Sequence, residues 1–231
     1  MFILFPVTIF YFSPILLIEG AVEGVLSGSA IVFALLFFSS LFVGRGFCGW
    51  VCPGGGLQEI VGRIRKKGVR RQRINWIKFL IWVPWFITVL YLILATGGIE
   101  QVDFFYMTHN GISVTDMQSF AIFLIVVFLF ALLALTIGRR AACHTICWMA
   151  PFMILGRKVR NIFSWPALQL TADSEACIQC GQCSNTCPMS IEVMALVQTR
   201  RLENDDCILC ASCADVCPRR VIHVSLARGV S

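Results

Sequence analysis

One cysteine string is written twice toward the C-terminus: Cys177, Cys180, Cys183 and Cys187 before Pro188, then Cys207, Cys210, Cys213 and Cys217 before Pro218. The spacing C-x2-C-x2-C-x3-C-P is the ligand run of a domain with two [4Fe–4S] clusters, in which the fourth cysteine of each run ligates the other run's cluster. Cys177, Cys180, Cys183 and Cys217 are therefore expected around one cluster. Cys207, Cys210, Cys213 and Cys187 are expected around the other. Cys177-Ile178-Gln179-Cys180 returns 30 residues later as Cys207-Ile208-Leu209-Cys210, so this part should fold as two similar halves, with a helix near residues 194–201. Structural zinc is the competing use of such cysteines, but it favours separated C-x2-C pairs over a run of four.

The other four of the 12 cysteines form two C-x3-C pairs. Arg45-x2-Cys48-x3-Cys52 recurs 95 residues later as Arg140-x2-Cys143-x3-Cys147. On a helix, positions i and i+4 share a face. Two pairs would then supply four thiolates, the usual complement for an iron–sulfur cluster. Cys48, Cys52, Cys143 and Cys147 are thus candidate ligands of a third cluster, and Arg45 and Arg140, one turn ahead, would offset its negative charge. Gly44, Gly46, Gly49 and Gly54 to Gly56 allow the backbone to approach a cofactor closely. Two other readings stay open: small buried cysteines, or redox-active dithiols beside Arg.

Hydrophobic residues make up 58% of the 231-residue chain and charged ones 14%, a balance outside the soluble range and inside the membrane class. Residues 2–18, 30–43 with flanks, 79–95 and 120–137 are candidate spans. Pro6, Pro14 and Pro84 fall inside these helical stretches, which membrane helices tolerate. All 19 Lys and Arg lie between residues 45 and 78 or after 137, whereas residues 19–29 and 96–119 carry only Glu19, Glu23, Glu100, Asp103 and Asp116. The positive-inside rule therefore places both termini and all cysteine motifs on the cytoplasmic side of the inner membrane. That compartment keeps thiols available as ligands. The net charge of +6 is read as contact with anionic lipid, because the basic residues hug the membrane; nucleic-acid binding is not expected.

Other residues carry weaker signals. His144 lies between Cys143 and Cys147, either tuning the site or serving as a spacer. His109 sits among outer polar residues, and His223 reads as surface. The basic run 63–73 suggests lipid contact or a docking face for an acidic carrier. Trp50, Trp76, Trp148 and Trp165 fit an interfacial aromatic belt. Gly54-Gly55-Gly56 lacks the Lys-Ser/Thr of a phosphate loop.

Arg45-Gly46-Phe47-Cys48-Gly49-Trp50-Val51-Cys52-Pro53, the second C-x3-C pair and the paired ferredoxin runs together resemble the NapH/NosR-type membrane polyferredoxins. The resemblance covers nearly the whole chain. It departs at Cys147-Trp148, where the first copy has Cys52-Pro53. It implies four membrane helices and a cytoplasmic two-cluster domain that exchanges electrons with a membrane or extracytoplasmic partner. The expected fold is an α-helical polytopic membrane protein, four transmembrane helices in two pseudo-repeated hairpins (residues 1–165), with a C-terminal α+β bacterial-type 2[4Fe–4S] ferredoxin domain (166–231). The expected role is a membrane-bound electron-transfer subunit of an oxidoreductase complex, with no catalytic acid or base of its own. Its partners would be flavin-, haem- or iron–sulfur-containing subunits, membrane lipid and a quinone pool. A redox sensor or metal-reduction and insertion factor using the C-x3-C thiols is the alternative.

Overall fold

Proline placement decides how the chain begins. In the computed structural model, which describes residues 2–64, 68–69, 72–200 and 202–228, the first expected span is broken. A 3-10 turn (Phe2–Leu4) leads into α1 (Phe5–Thr8), and a second (Phe10–Phe12) precedes α2 (Pro14–Glu23). Pro6 and Pro14 stand in the first turns of α1 and α2, where a missing N–H leaves no bond unmade. Pro14 also forces Ser13 into an extended conformation, with ψ 124°. These two prolines therefore open helices and do not lie within them, so residues 2–18 do not form one continuous span. Pro84 does sit inside its helix.

After β1 (Val25–Ser27) come α3 (Gly28–Val43), α4 (Gly46–Trp50), α5 (Pro53–Gly62), α6 (Ile77–Ala95), β2 (Gln101–Asp103), α7 (Met117–Thr136), α8 (Ala141–Thr145) and α9 (Met149–Phe163). Among the described residues two helical stretches, Ile74–Ala95 and Met117–Thr136, are long and apolar enough to cross a membrane. Only 11% and 17% of them is buried, which sets them apart from the core helix of a soluble protein and is consistent with lipid around them. Helix α3 has 16 residues, about 24 Å of rise, and packs along α9. There Gly156 presses so closely on Ser40 that no side chain fits between them.

The C-terminal part runs β3 (Pro166–Ala172), α10 (Gln182–Thr186), α11 (Val193–Gln198), α12 (Ser212–Asp215) and β4 (Ile222–Arg228). Antiparallel pairing from Pro166↔Arg228 to Ala172↔Ile222 makes β3 and β4 brackets around the eight tandem cysteines. Helix α11 occupies most of the stretch expected at 194–201; Arg201 lies outside the described residues. Phe33 and Leu36 of α3, Met153 of α9, Ile208 and Ile222 share one buried core with Cys48, Cys143, Cys183 and Cys213. The helical and cysteine-rich parts thus have no solvent layer between their cores.

Candidate iron–sulfur sites

The 95-residue repeat is repeated bond for bond. Cys48 N donates to Arg45 O (2.9 Å) and Cys143 N to Arg140 O (3.0 Å), and Cys52 N donates to Phe47 O (2.9 Å) as Cys147 N does to Ala142 O (3.0 Å). In each copy the short helix ends before the second cysteine: α4 at Trp50, α8 at Thr145. The pair therefore does not share a regular helical face. Pro53 holds Cys52 extended, and the Cys52 sulfur caps α5 by accepting from Gly55 N (3.4 Å). Cys147 accepts equivalently from Ala150 N, so Trp148 in place of proline leaves the local geometry alike.

All four thiols lie within electrostatic reach of one another. Burial, then the Cys48, Cys143 and Cys147 charges, pushes the Cys52 thiol well up; Cys147 is pushed to about 12 by burial and then by Cys143 and Cys48. Four thiolates here need a cation among them. Arg45 is one neighbour: burial opposes its charge, but Cys48, Asp206, Cys147 and Cys143 hold the guanidinium above its ordinary value. Arg140 spans the copies, donating to Cys48 O (2.7 Å) and pairing with Glu59 (3.1 Å). Three of the glycines meet protein and not open space: Gly54 faces the Phe130 ring, Gly55 the Arg140 guanidinium, and Gly49 lies flush on the Ile208 carbonyl, whereas Gly56 faces open space.

That Gly49 contact joins the quartet to the second tandem run. Trp50 Nε1 donates to Leu209 O (2.9 Å), and Arg45 Nη1 reaches Asp205 O (3.3 Å) and Asp206 Oδ1 (3.2 Å), just ahead of Cys207. Asp206 also binds Lys78 Nζ (2.5 Å) and Asn75 Nδ2 (2.5 Å). Arg157, Arg160 and Asn161 of α9 converge on Glu203 at 2.9, 3.4 and 2.7 Å.

The tandem cysteines line two separate cavities. One is bounded by Cys187, Cys207, Cys210 and Cys213, the other by Cys177, Cys180, Cys183 and Cys217. Among the described residues, no three His, Cys, Asp or Glu close around a single ion. The backbone around both cavities repeats as well: Gln179 and Leu209 (φ 55° and 51°), and Gly181 and Ala211 (φ 73° and 62°), are left-handed. Left-handed residues alternating with right-handed ones turn successive N–H groups to one side, an anion-binding nest. Non-glycine residues held there carry strain of the kind found at functional sites. Arg45 Nε and Nη2 beside the quartet, and Arg157 Nη1 beside Cys207, are buried without hydrogen-bond partners. Donors left waiting around thiol-lined cavities fit an anionic iron–sulfur core.

Residues 26–72 match the model of a 4Fe-4S binding domain and residues 176–222 that of a 4Fe-4S dicluster domain. YccM of Escherichia coli K12, named for electron transport, is 27% identical over 197 residues, covering 81% of this chain and 53% of that protein. The ferredoxin-type protein MauN of Methylobacillus flagellatus, named for methylamine utilization, is 30% identical over 169 residues (71% of this chain, 54% of MauN). The regulatory protein NosR of Pseudomonas aeruginosa is 28% identical over 183 residues (73% of this chain, 23% of NosR). The chain is thus similar to proteins of the NosR/NapH polyferredoxin type. It spans about half the length of YccM and MauN. No solved structure matches it significantly.

Several residues depart from what the sequence suggested. His144 is neither solvent-accessible nor lipid-facing: it is 2% exposed, with Nδ1 bonded to Asn75. Burial, which outweighs the Asp206 charge, lowers it to about 4, so it is neutral near pH 7. Three of the four tryptophans also hydrogen-bond within the protein: Trp50 as above, Trp148 Nε1 to Phe12 O (2.7 Å) and Trp165 Nε1 to Leu41 O (3.0 Å). Asp206, Glu203, Lys78 and Asn75 were not foreseen. One signal was available, since the 30-residue repeat sets Asp206 against Ala176, a charge with no counterpart. Five of the seven basic residues in the run 63–73 lie outside the described residues.

A cleft of about 460 Å³ opens beside the quartet. Cys52, Pro53, Gly54 and Trp148 line one end, Glu19 and Asp116 line other parts, and apolar side chains such as Phe5 and Phe130 make up most of its wall.

Proposed function

We propose that this polyferredoxin passes electrons between its ferredoxin clusters and a third iron–sulfur cluster held by Cys48, Cys52, Cys143 and Cys147, which serves a quinone pool. In this reading residues 166–231 carry the two soluble clusters, ligated by Cys177, Cys180, Cys183 and Cys217 and by Cys207, Cys210, Cys213 and Cys187. Residues 1–165 carry the membrane part: four crossings of the inner membrane in two hairpins, with both termini cytoplasmic. The bound clusters supply one-electron transfer. The chain supplies the rest. Cysteine spacing sets the separations, Arg45 and Arg140 offset charge at the quartet, and the shared core excludes water around it.

The observation that carries the proposal is the junction at Gly49. Its backbone rests on the Ile208 carbonyl inside the second run, and Arg45 reaches from Cys48 to Asp206 beside Cys207. Such contact has a use if electrons cross there. The cleft favours a quinone as the membrane-side reactant, because its wall is mostly apolar, includes the apolar helix α7 and takes in Cys52. A lipid-soluble carrier fits that wall better than a protein domain does. Other redox subunits would exchange electrons with the exposed Cys180 side of the ferredoxin part.

The test is iron and acid-labile sulfide per chain on anaerobically purified protein, with EPR before and after reduction. About 12 iron is expected. A firm count of about 8 in fully loaded protein would leave the quartet empty and end the three-cluster reading.

A further inference from the structure

The cleft beside Cys52 has two chemically different ends. Its ionisable lining groups are Cys52, Glu19 and Asp116. Asp116 is already engaged, in the capping box of α7 with Ser119 and in a bond from Thr115 (3.3 Å). Among the described residues the Glu19 side chain has no hydrogen bond or ion pair. It lies in the last turns of α2, and Glu23 comes four residues on, on the same helical face. Tyr106 Oη donates to Glu23 Oε2 (2.8 Å) and lies within electrostatic reach of Glu19.

These groups sit far from the clusters. Lys78, at the start of α6, binds Asp206 beside Cys207. At the other end of α6, 19 residues and about 28 Å away, the loop at Glu100 donates to Gly24 O (2.8 Å), directly after Glu23. Glu23 and Tyr106 therefore open on the face opposite the ferredoxin part.

We propose that Glu19 is the proton-exchange group of the cleft, linked by Tyr106 and Glu23 to the aqueous face opposite the clusters. The inference rests on the quinone reading above and adds the fate of the protons. Oxidation of one quinol breaks two O–H bonds. Two electrons leave singly toward the Cys52 end, and an oxidised iron–sulfur acceptor takes them up. Two protons leave through the Glu19 carboxylate to the opposite face. Quinone reduction runs the same path backward. Each turnover then moves charge across the membrane.

The test uses the full chain with complete iron content in lipid vesicles, duroquinol as reductant, duroquinone as oxidant and pH dyes on either side. Duroquinol is expected to bleach the iron–sulfur absorbance and to acidify the side opposite the clusters. Glu19→Gln should slow that bleaching by about a hundredfold. Dithionite reduction and the quenching by duroquinone of tryptophan fluorescence, to which Trp148 in the cleft wall contributes, should keep their wild-type values, which would show that folding and binding survive. Glu23→Gln, at the exposed end of the path, should slow it less, and Glu100→Gln, outside the cleft, should leave it unchanged. Wild-type rates in Glu19→Gln, or acid released on the cluster side, would overturn the proton route while the quinone reading stands. A fully loaded wild type that neither accepts electrons from duroquinol nor yields them to duroquinone would overturn both.

Discussion

Arg45 is wholly buried, yet Nη1 alone finds partners, at Asp205 and Asp206, while Nε and Nη2 are left toward the thiols. Arg45→Gln keeps a polar group but shortens the side chain and removes the charge. It should lower iron occupancy at the membrane quartet by about tenfold, the scale of losing a partner just behind the ligands, and leave the eight-iron complement of the tandem runs in place. Iron analysis of variant against wild type decides it. Glu203 is the second residue on which much converges. Burial pushes its carboxyl up, but hydrogen bonds from Arg157 and Asn161 and the Arg157 and Arg160 charges outweigh this and hold it below the usual carboxylate value. A carboxylate depressed in the folded state adds stability that is present above its unfolded value, about 4, and lost as pH falls through the folded one. Glu203→Ala should cost about 3 kcal/mol near pH 7, because two buried guanidinium groups lose their anion. Thermal unfolding of Glu203→Gln should vary less than wild type between pH 5 and the acid limit; an unchanged pH profile would show that the cluster on α9 adds nothing.

Helix α4 and the loop at Ile208 meet through a position that tolerates no side chain. Gly49→Ala would drive its Cβ into the Ile208 carbonyl, so one of the two backbones must move, at about 1–3 kcal/mol. The expected result is full iron content with slower electron exchange between the quartet and the tandem clusters, read by freeze-quench EPR; exchange at the wild-type rate would show that electrons cross elsewhere. Element by element, the sequence was uneven in what it disclosed. Spacing alone announced both cysteine repeats, because ligation geometry tolerates few spacings. The apolar runs at α6 and α7 were equally plain. Residues 2–18 misled, since hydropathy does not register that Pro14 sets Ser13 extended and starts a new helix. The C-x3-C pairs were read as helical faces, whereas α4 and α8 stop short and the second cysteine accepts a hydrogen bond from the first turn of the next helix. Asp206, Glu203 and Lys78 were illegible as partners because their pairing depends on tertiary docking, across 128 residues for Lys78 and Asp206 and 42 to 46 for Glu203 and α9.

At the scale of the molecule, one apolar core takes in cysteines of the membrane quartet and of both tandem runs. Iron–sulfur assembly should therefore stabilise the helical part along with the ferredoxin part, as metal binding does wherever ligands and core are shared. Removing iron with an oxidant and chelator is expected to lower the midpoint of helix melting, followed by circular dichroism, in a single transition. Two separate transitions, with the helical one unmoved, would mean that the parts fold independently.

Lys78 leaves the ribosome 128 residues before Asp206, the carboxylate that neutralises it, and Arg45 leaves 161 residues before. Through most of synthesis the membrane part thus holds two cations at sites that will be dry, with their anion not yet made. The loop from Glu203 to Cys210 acts as a keystone laid last. Until it arrives the arch is open, and a chain cut short before Asp206 would present unpaired charge to the machinery that disposes of unfinished proteins.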